Sequence, residues 1–154
     1  MILITRPVSQ TKNLELLLNK NNFDYALFPA FEVSKLQTKA PVEKYDIIIF
    51  ISVNAVNYAE EHYGDLFTDS SKVFAVGPVT ANQLFKNNIA VDCFPKTNAS
   101  SQELLKMKEC SALSNRKILI VRGRGGSETL KNYLSSSNQV DYLEVYERIP
   151  CELT

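Results

Sequence analysis

Apolar runs of strand length recur along this chain, and four of them break into a short turn of small and polar residues that opens a stretch of helical period. The four lie over 2–7, 47–55, 73–81 and 118–126. Such alternation predicts a parallel α/β sheet, because parallel neighbours must be joined by a crossover and strands covered on both faces are apolar throughout. The turns then gather at one end of the sheet. There, helix N-termini leave N–H groups unpaired and present positive dipole ends, a surface suited to several anionic groups.

The same pattern predicts strands over 2–5, 25–31, 46–51, 72–76, 90–94, 117–122 and 139–146, and helices over 10–20, 54–63, 79–87, 102–109 and 127–135. Residues 32–44 carry no helical period. The polar, Pro-terminated segment 34–41 reads as a connection between lobes. Residues 42–147 then hold a complete flavodoxin-like, doubly wound unit, and 148–154 a return segment. Residues 1–33 hold one βαβ unit, which by itself leaves strand faces uncovered and is expected to need more chain, a second copy or an edge of the larger sheet.

Composition narrows the chemistry. The 154 residues are 45% hydrophobic and 22% charged, as in ordinary globular domains. Lys+Arg and Asp+Glu are 17 each, so the broad positive field that nucleic acids or anionic membranes require is missing, and any anion site must be local. The apolar start, residues 1–4, is too short for a signal peptide or a span, which leads us to expect a cytoplasmic protein. Cys93, Cys110 and Cys151 share no CxxC or Cys/His spacing and are expected to be reduced. His62, the single histidine, follows Glu60 and Glu61 and is expected to be solvated; with no second histidine, triad or metal catalysis has no support.

The chemistry therefore falls to the turns. Ser52 and Asn54 can cap the helix that follows the apolar run, and capping alone would account for them. Gly77 permits a sharp turn, Pro78 suits the first helical position, and Thr80 falls in the first turn beside Ala81. Ser100 and Ser101 mark another helix start with an acidic first turn. Arg122-Gly123-Arg124-Gly125-Gly126 lacks the third glycine of a dinucleotide fingerprint and the GK[ST] of a P-loop, which argues against nucleotide binding. Its glycines nonetheless free the backbone to approach a ligand, and its arginines can pair with carboxylates or phosphates. Tyr146 ends the last strand, where strand packing is the commoner role for an aromatic residue.

Taken in order, these motifs resemble the uroporphyrinogen-III synthases: Ile4-Thr5-Arg6-Pro7 with Gln10, the Ser52–Val56 turn, Val76-Gly77-Pro78-Val79-Thr80-Ala81, Ser100-Ser101, Arg122 to Gly126, and Val145-Tyr146. The resemblance implies an enzyme of heme and tetrapyrrole synthesis that closes hydroxymethylbilane to uroporphyrinogen III with inversion of ring D, using neither metal nor organic cofactor. It implies two α/β lobes joined by a two-strand linker, Tyr146 as the candidate acid with Thr80 near the site, and substrate contacts at Thr5, Arg6, Gln10, Ser52, Asn54, Gly77, Ala81, Ser100, Ser101, Arg122, Gly123, Gly125 and Gly126. Two departures stand out. Ser127 occupies a position where the family often has Arg, and the family continues beyond its Val-Tyr segment, so a truncated first lobe capable of self-association is expected here. The rival expectations are a non-catalytic remnant and a flavodoxin-like module binding an anion or phosphate.

Overall fold

A computed structural model describes residues 1–151. Along the chain run β1 (Ile2–Ile4), a 3-10 turn (Val8–Gln10), α1 (Lys12–Lys20), β2 (Tyr25–Leu27), β3 (Phe31–Lys35), β4 (Ile47–Phe50), α2 (Val53–Tyr58), a second 3-10 turn (Glu60–His62), α3 (Tyr63–Leu66), β5 (Lys72–Ala75), α4 (Pro78–Lys86), α5 (Ser101–Lys106), α6 (Lys108–Ser111), β6 (Lys117–Gly123), α7 (Thr129–Leu134) and β7 (Gln139–Pro150). The chain divides into two units, Met1–Ser34 with the segment from Glu147, and Lys35–Tyr146.

In the smaller unit β1 and β2 pair in parallel, Ile2 with Tyr25 and Ile4 with Leu27, and α1 is the crossover between them. Ile4 and Leu18 are buried, whereas Leu3, Leu16, Leu17, Phe23 and Phe28 are exposed. The strand predicted over 25–31 is two strands. Phe28 N–H still reaches Ile4 O (2.8 Å), but the next bond, from Ala30 N–H to Thr5 O (3.0 Å), falls beyond the last residue of β1, and the ladder ends there.

The larger unit is built on β4, whose four residues Ile47, Ile48, Ile49 and Phe50 are all buried, as a central parallel strand covered on both faces requires. Parallel pairs join β4 to β5 on one side and to β6 on the other, and β6 to β7. The register assigns Ile47, Ile49, Ile118, Ile120 and Val140 to one face, where they pack with Leu104, Cys110, Leu130 and Leu134 of α5, α6 and α7. The opposite face packs against α2 and α4, whose buried residues include Ala55, Val56, Ala81 and Leu84. Asp46 fastens the N-terminal ends of three strands: its N–H donates to Lys117 O (2.9 Å), its carboxylate accepts from Lys117 N–H (2.9 Å), and its carbonyl accepts from Lys72 N–H (2.8 Å).

Several expectations are corrected. The sheet order is β3-β7-β6-β4-β5, and β4 pairs directly with β6. A flavodoxin sheet, with strand order 2-1-3-4-5, would place the unit's third strand between its first and fourth; here the third segment lies outside β5 instead. That segment, expected as a strand over 90–94, is reduced to one bridge between Phe74 and Cys93. The Asp92 carboxylate takes Val73 N–H (2.8 Å), and Pro95 cannot donate onward. The helix expected over 102–109 breaks at Met107, which is extended (φ −71°, ψ 136°). Leu104 and Cys110 would lie about 120° apart on a continuous helix, and the break lets both enter the core. Within 34–41, the segment expected as a connection between lobes, Leu36 N–H donates to Val145 O (3.0 Å) and the Thr38 hydroxyl donates to Glu144 O, which binds part of it along β7. His62 is only 8% exposed, because it continues the buried series Ala55, Ala59, His62, Leu66 at helical spacing. No helix among the described residues is long and apolar enough to cross a membrane.

Candidate active site

The chain leaves β4 toward β5 on one side, while β6 and β7 build the other, so the strand order reverses between β4 and β6. In open parallel sheets ligands enter the crevice beyond the carboxyl ends at such a point. Two turns flank it: Ser52 after β4 and Gly123 to Ser127 after β6. Ser52 is extended (φ −165°, ψ 163°), and its Oγ accepts the Ala55 N–H at 3.0 Å, capping α2. The same oxygen lies 3.1 Å from the Tyr146 hydroxyl.

Tyr146 reaches that position through a bulge. Arg122 pairs with Glu144, but Gly123 pairs with Tyr146, so β7 carries one extra residue. Strict alternation would place Tyr146 on the face of Tyr142 and Glu144; the extra residue turns it to the opposite face, which Gly123 shares. The phenol is 4% exposed, and its ring packs on Tyr58 with centroids 5.8 Å apart. A Cβ on Gly123 would run into that ring, which is why glycine is required there. Arg124 N–H donates to Tyr146 O at 2.8 Å and fixes the bulge.

Arg122 does not present its guanidinium to solvent. It is 1% exposed, Nε donates to Gly123 O (3.0 Å), and Nη1 donates to Ser127 O (3.3 Å) and to the Glu128 carboxylate (3.0 Å). It also lies 4.3 Å from the centroid of the Tyr142 ring, and Lys131 Nζ lies 4.4 Å from the same centroid. The turn is thus wrapped around a buried cation: Gly126 passes against the guanidinium, and Gly125 takes φ +72°. Holding Ser127 O in this way delays the last helix, predicted from 127, to Thr129. The Tyr142 hydroxyl donates to Glu128 at 2.6 Å and, with Arg122 and Lys131, holds that carboxyl below the usual carboxylate range. Burial, with the Glu128 bond, pushes the Tyr142 phenol up to about 12.

Of the other expected residues, Gly77 is extended and lies so close to Ala99 that a Cβ there would overlap it. Thr80 (5% exposed) and Ala81 (0%) belong to the buried face of α4. Ser100 Oγ caps α5 by accepting the Glu103 N–H at 3.0 Å, and Ser101 and Asn54 are half-buried. Thr5, Arg6 and Gln10 are exposed residues of the smaller unit. Sequence reasoning missed Tyr58, Tyr142, Glu128 and Lys131. Tyr142 lies four residues before Tyr146, a spacing that marks a strand neighbour, but no local signal announces the bulge. Among the described residues, no cluster of His, Cys, Asp and Glu is arranged to hold a metal ion.

Comparison with known proteins agrees with this architecture. The family model described as uroporphyrinogen-III synthase HemD matches residues 12–153. The chain belongs to the uroporphyrinogen-III synthase family. It is 28% identical over 159 residues to a uroporphyrinogen-III synthase of Proteus mirabilis, an alignment covering 96% of this chain and 80% of that protein. It is 27% identical over 158 residues to that of Escherichia coli K12, covering 96% of this chain and 64% of the other. Among solved structures, a mutant uroporphyrinogen III synthase of Thermus thermophilus superposes with a TM-score of 0.70 at 17% identity, covering 97% of this chain and 63% of that one. The Helicobacter pylori uroporphyrinogen-III synthetase gives 0.61 at 18% identity, over 84% of this chain and 58% of its own. The chain therefore spans under two thirds of the length of the E. coli protein and of both solved structures.

Proposed function

We propose that this chain acts as a uroporphyrinogen-III synthase, closing hydroxymethylbilane to uroporphyrinogen III with inversion of ring D, in the cytoplasm and without a cofactor. The observation that carries the reading is the Tyr146–Ser52 pair, a buried phenol at the carboxyl edge of the sheet in a chain of this family. On this reading Lys35–Tyr146 is the family's inserted lobe, and the smaller unit belongs to the other lobe.

The substrate is a flexible chain carrying many carboxylates, while the protein has no net charge. Binding is therefore assigned to the turn backbones around Ser52, Gly77, Ser101 and Gly125, aided by Asn54 and Ser100, with Arg122 shaping the glycine turn from beneath. Tyr146 gives its proton to the departing hydroxyl of the substrate. The cationic end so formed is attacked from the substituted carbon of ring D, and the resulting spiro intermediate fragments and recloses. The protein's main contribution is to hold one conformation, so that the inverted ring forms before the uninverted one closes in solution. Thr80, in the first turn of α4 after Gly77, is assigned a place near the site by the family resemblance.

Incubation with freshly prepared hydroxymethylbilane followed by separation of the ring isomers tests the proposal. The type III isomer is expected in excess. Only the uninverted isomer, at the rate seen without protein, would defeat the reading.

A further inference from the structure

The Ser52–Tyr146 contact supports a second assignment, which rests on the synthase reading above. Ser52 Oγ accepts the Ala55 N–H at 3.0 Å and lies 3.1 Å from Tyr146 Oη. A serine hydroxyl has two lone pairs and one proton, so one lone pair serves the helix while the proton is free for the phenol oxygen. The phenol is 4% exposed, its ring rests on Tyr58, and Gly123 leaves the room it occupies. Its oxygen is therefore held beside that hydroxyl.

We infer that Ser52 is the positioning residue for Tyr146, through a chain of donors running from Ala55 N–H to Ser52 Oγ–H to Tyr146 Oη–H. Each bond in such a chain polarises the next, and the phenol proton is left pointing away from Ser52. When the substrate's hydroxymethyl C–O bond breaks, the bonding pair leaves on oxygen, the neighbouring pyrrole nitrogen supplies its lone pair to the carbon, and the Tyr146 proton completes a water molecule. The negative charge then resides on Tyr146 Oη, where the Ser52 O–H already donates. Tyr146 regains a proton when the newly bonded pyrrole carbon gives one up.

A helix cap needs only an acceptor, which Asp supplies as well as Ser; the role assigned here needs the proton as well. In the isomer-resolved assay, Ser52→Ala and Ser52→Asp are each expected to lower kcat by about 10- to 100-fold with KM unchanged, the range for a hydrogen bond to a charged group. Ser52→Thr, which keeps acceptor and proton, is expected to restore most of the rate. In a Tyr146→Phe background the Ser52→Ala loss should largely vanish. A Ser52→Asp variant with full turnover, or a Ser52→Ala loss undiminished beside Tyr146→Phe, would overturn the inference. A wild-type chain that makes no type III isomer would defeat the synthase reading and leave the pair to be read by carbon NMR of protein labelled at the tyrosine Cζ. The Tyr146 resonance, identified by its absence in Tyr146→Phe, is expected to move in Ser52→Ala and Ser52→Asp and to hold its place in Ser52→Thr; a resonance unmoved by all three substitutions overturns the assignment.

Discussion

Glu128 shows how much of the glycine turn is electrostatic. The Tyr142 hydroxyl first, then Arg122 and Lys131, hold its carboxyl below the usual range, so its folded-state value lies under its unfolded one. Its contribution to stability is therefore complete above the ordinary carboxylate range and is lost as pH falls through the lowered value. The melting-temperature gap between wild type and Glu128→Gln should accordingly be constant near neutrality and narrow in acid; a gap that widened in acid would contradict the assignment. The thiols make a second case. Burial, then nearby Glu109 and Asp92, pushes Cys93 up to about 11, and burial pushes Cys110 up to about 12. Neither offers thiolate at neutral pH, and both are buried, whereas Cys151 is half-buried. A chromogenic disulfide reagent should titrate one thiol quickly in the folded protein and all three in denaturant. On the synthase reading, Tyr146→Phe should lower turnover about 100-fold or more, the usual contribution of general acid help, measured as initial rate of type III product. Full turnover would make Tyr146 a packing residue.

Among the elements, β4 and β6 were legible because a central parallel strand has no polar face to hide its character: Ile47 to Phe50 and Ile118 to Val121 are apolar throughout. The bridge at Cys93 was not legible, since Val91 and Cys93 look like strand while Asp92 and Pro95 act through a side-chain bond and a missing donor. The bulge in β7 is the more instructive miss, because period-2 reading has no means of registering one extra residue. That residue decides which face Tyr146 occupies, so the resemblance points to Tyr146 as candidate acid and Ser52 reads as a cap and substrate contact, while nothing in the sequence pairs the two. Gly123 guards the same geometry. Gly123→Ala must displace the Tyr146 ring, and a loss of about 1–3 kcal/mol, as for other overpacked cores, is expected in urea unfolding together with a change in tyrosine fluorescence. Unchanged stability would mean that the ring moves aside freely.

Across the whole molecule, alternation of strand and helix fixed the class of fold, but strand order depends on pairings far apart in sequence, and β4–β6 is such a pairing. The smaller unit follows the expectation of uncovered strands in one respect: Leu3, Leu16, Leu17, Phe23 and Phe28 are each exposed within Met1–Ser34. Apolar exposure of this kind beside a two-stranded sheet favours association. Sedimentation velocity should therefore show a coefficient rising with concentration and lowered by Leu17→Lys with Phe23→Lys; a concentration-independent monomer would refute it. The central place of β4 also has a consequence in time. Ile47 pairs with Ile118, so the most apolar strand of the chain leaves the ribosome roughly 70 residues before its second neighbour does. At about 5–20 residues per second, one edge of β4 stays unpaired for several seconds of every synthesis, a window in which nascent chains of this protein are open to strand capture by one another or to protection by a chaperone.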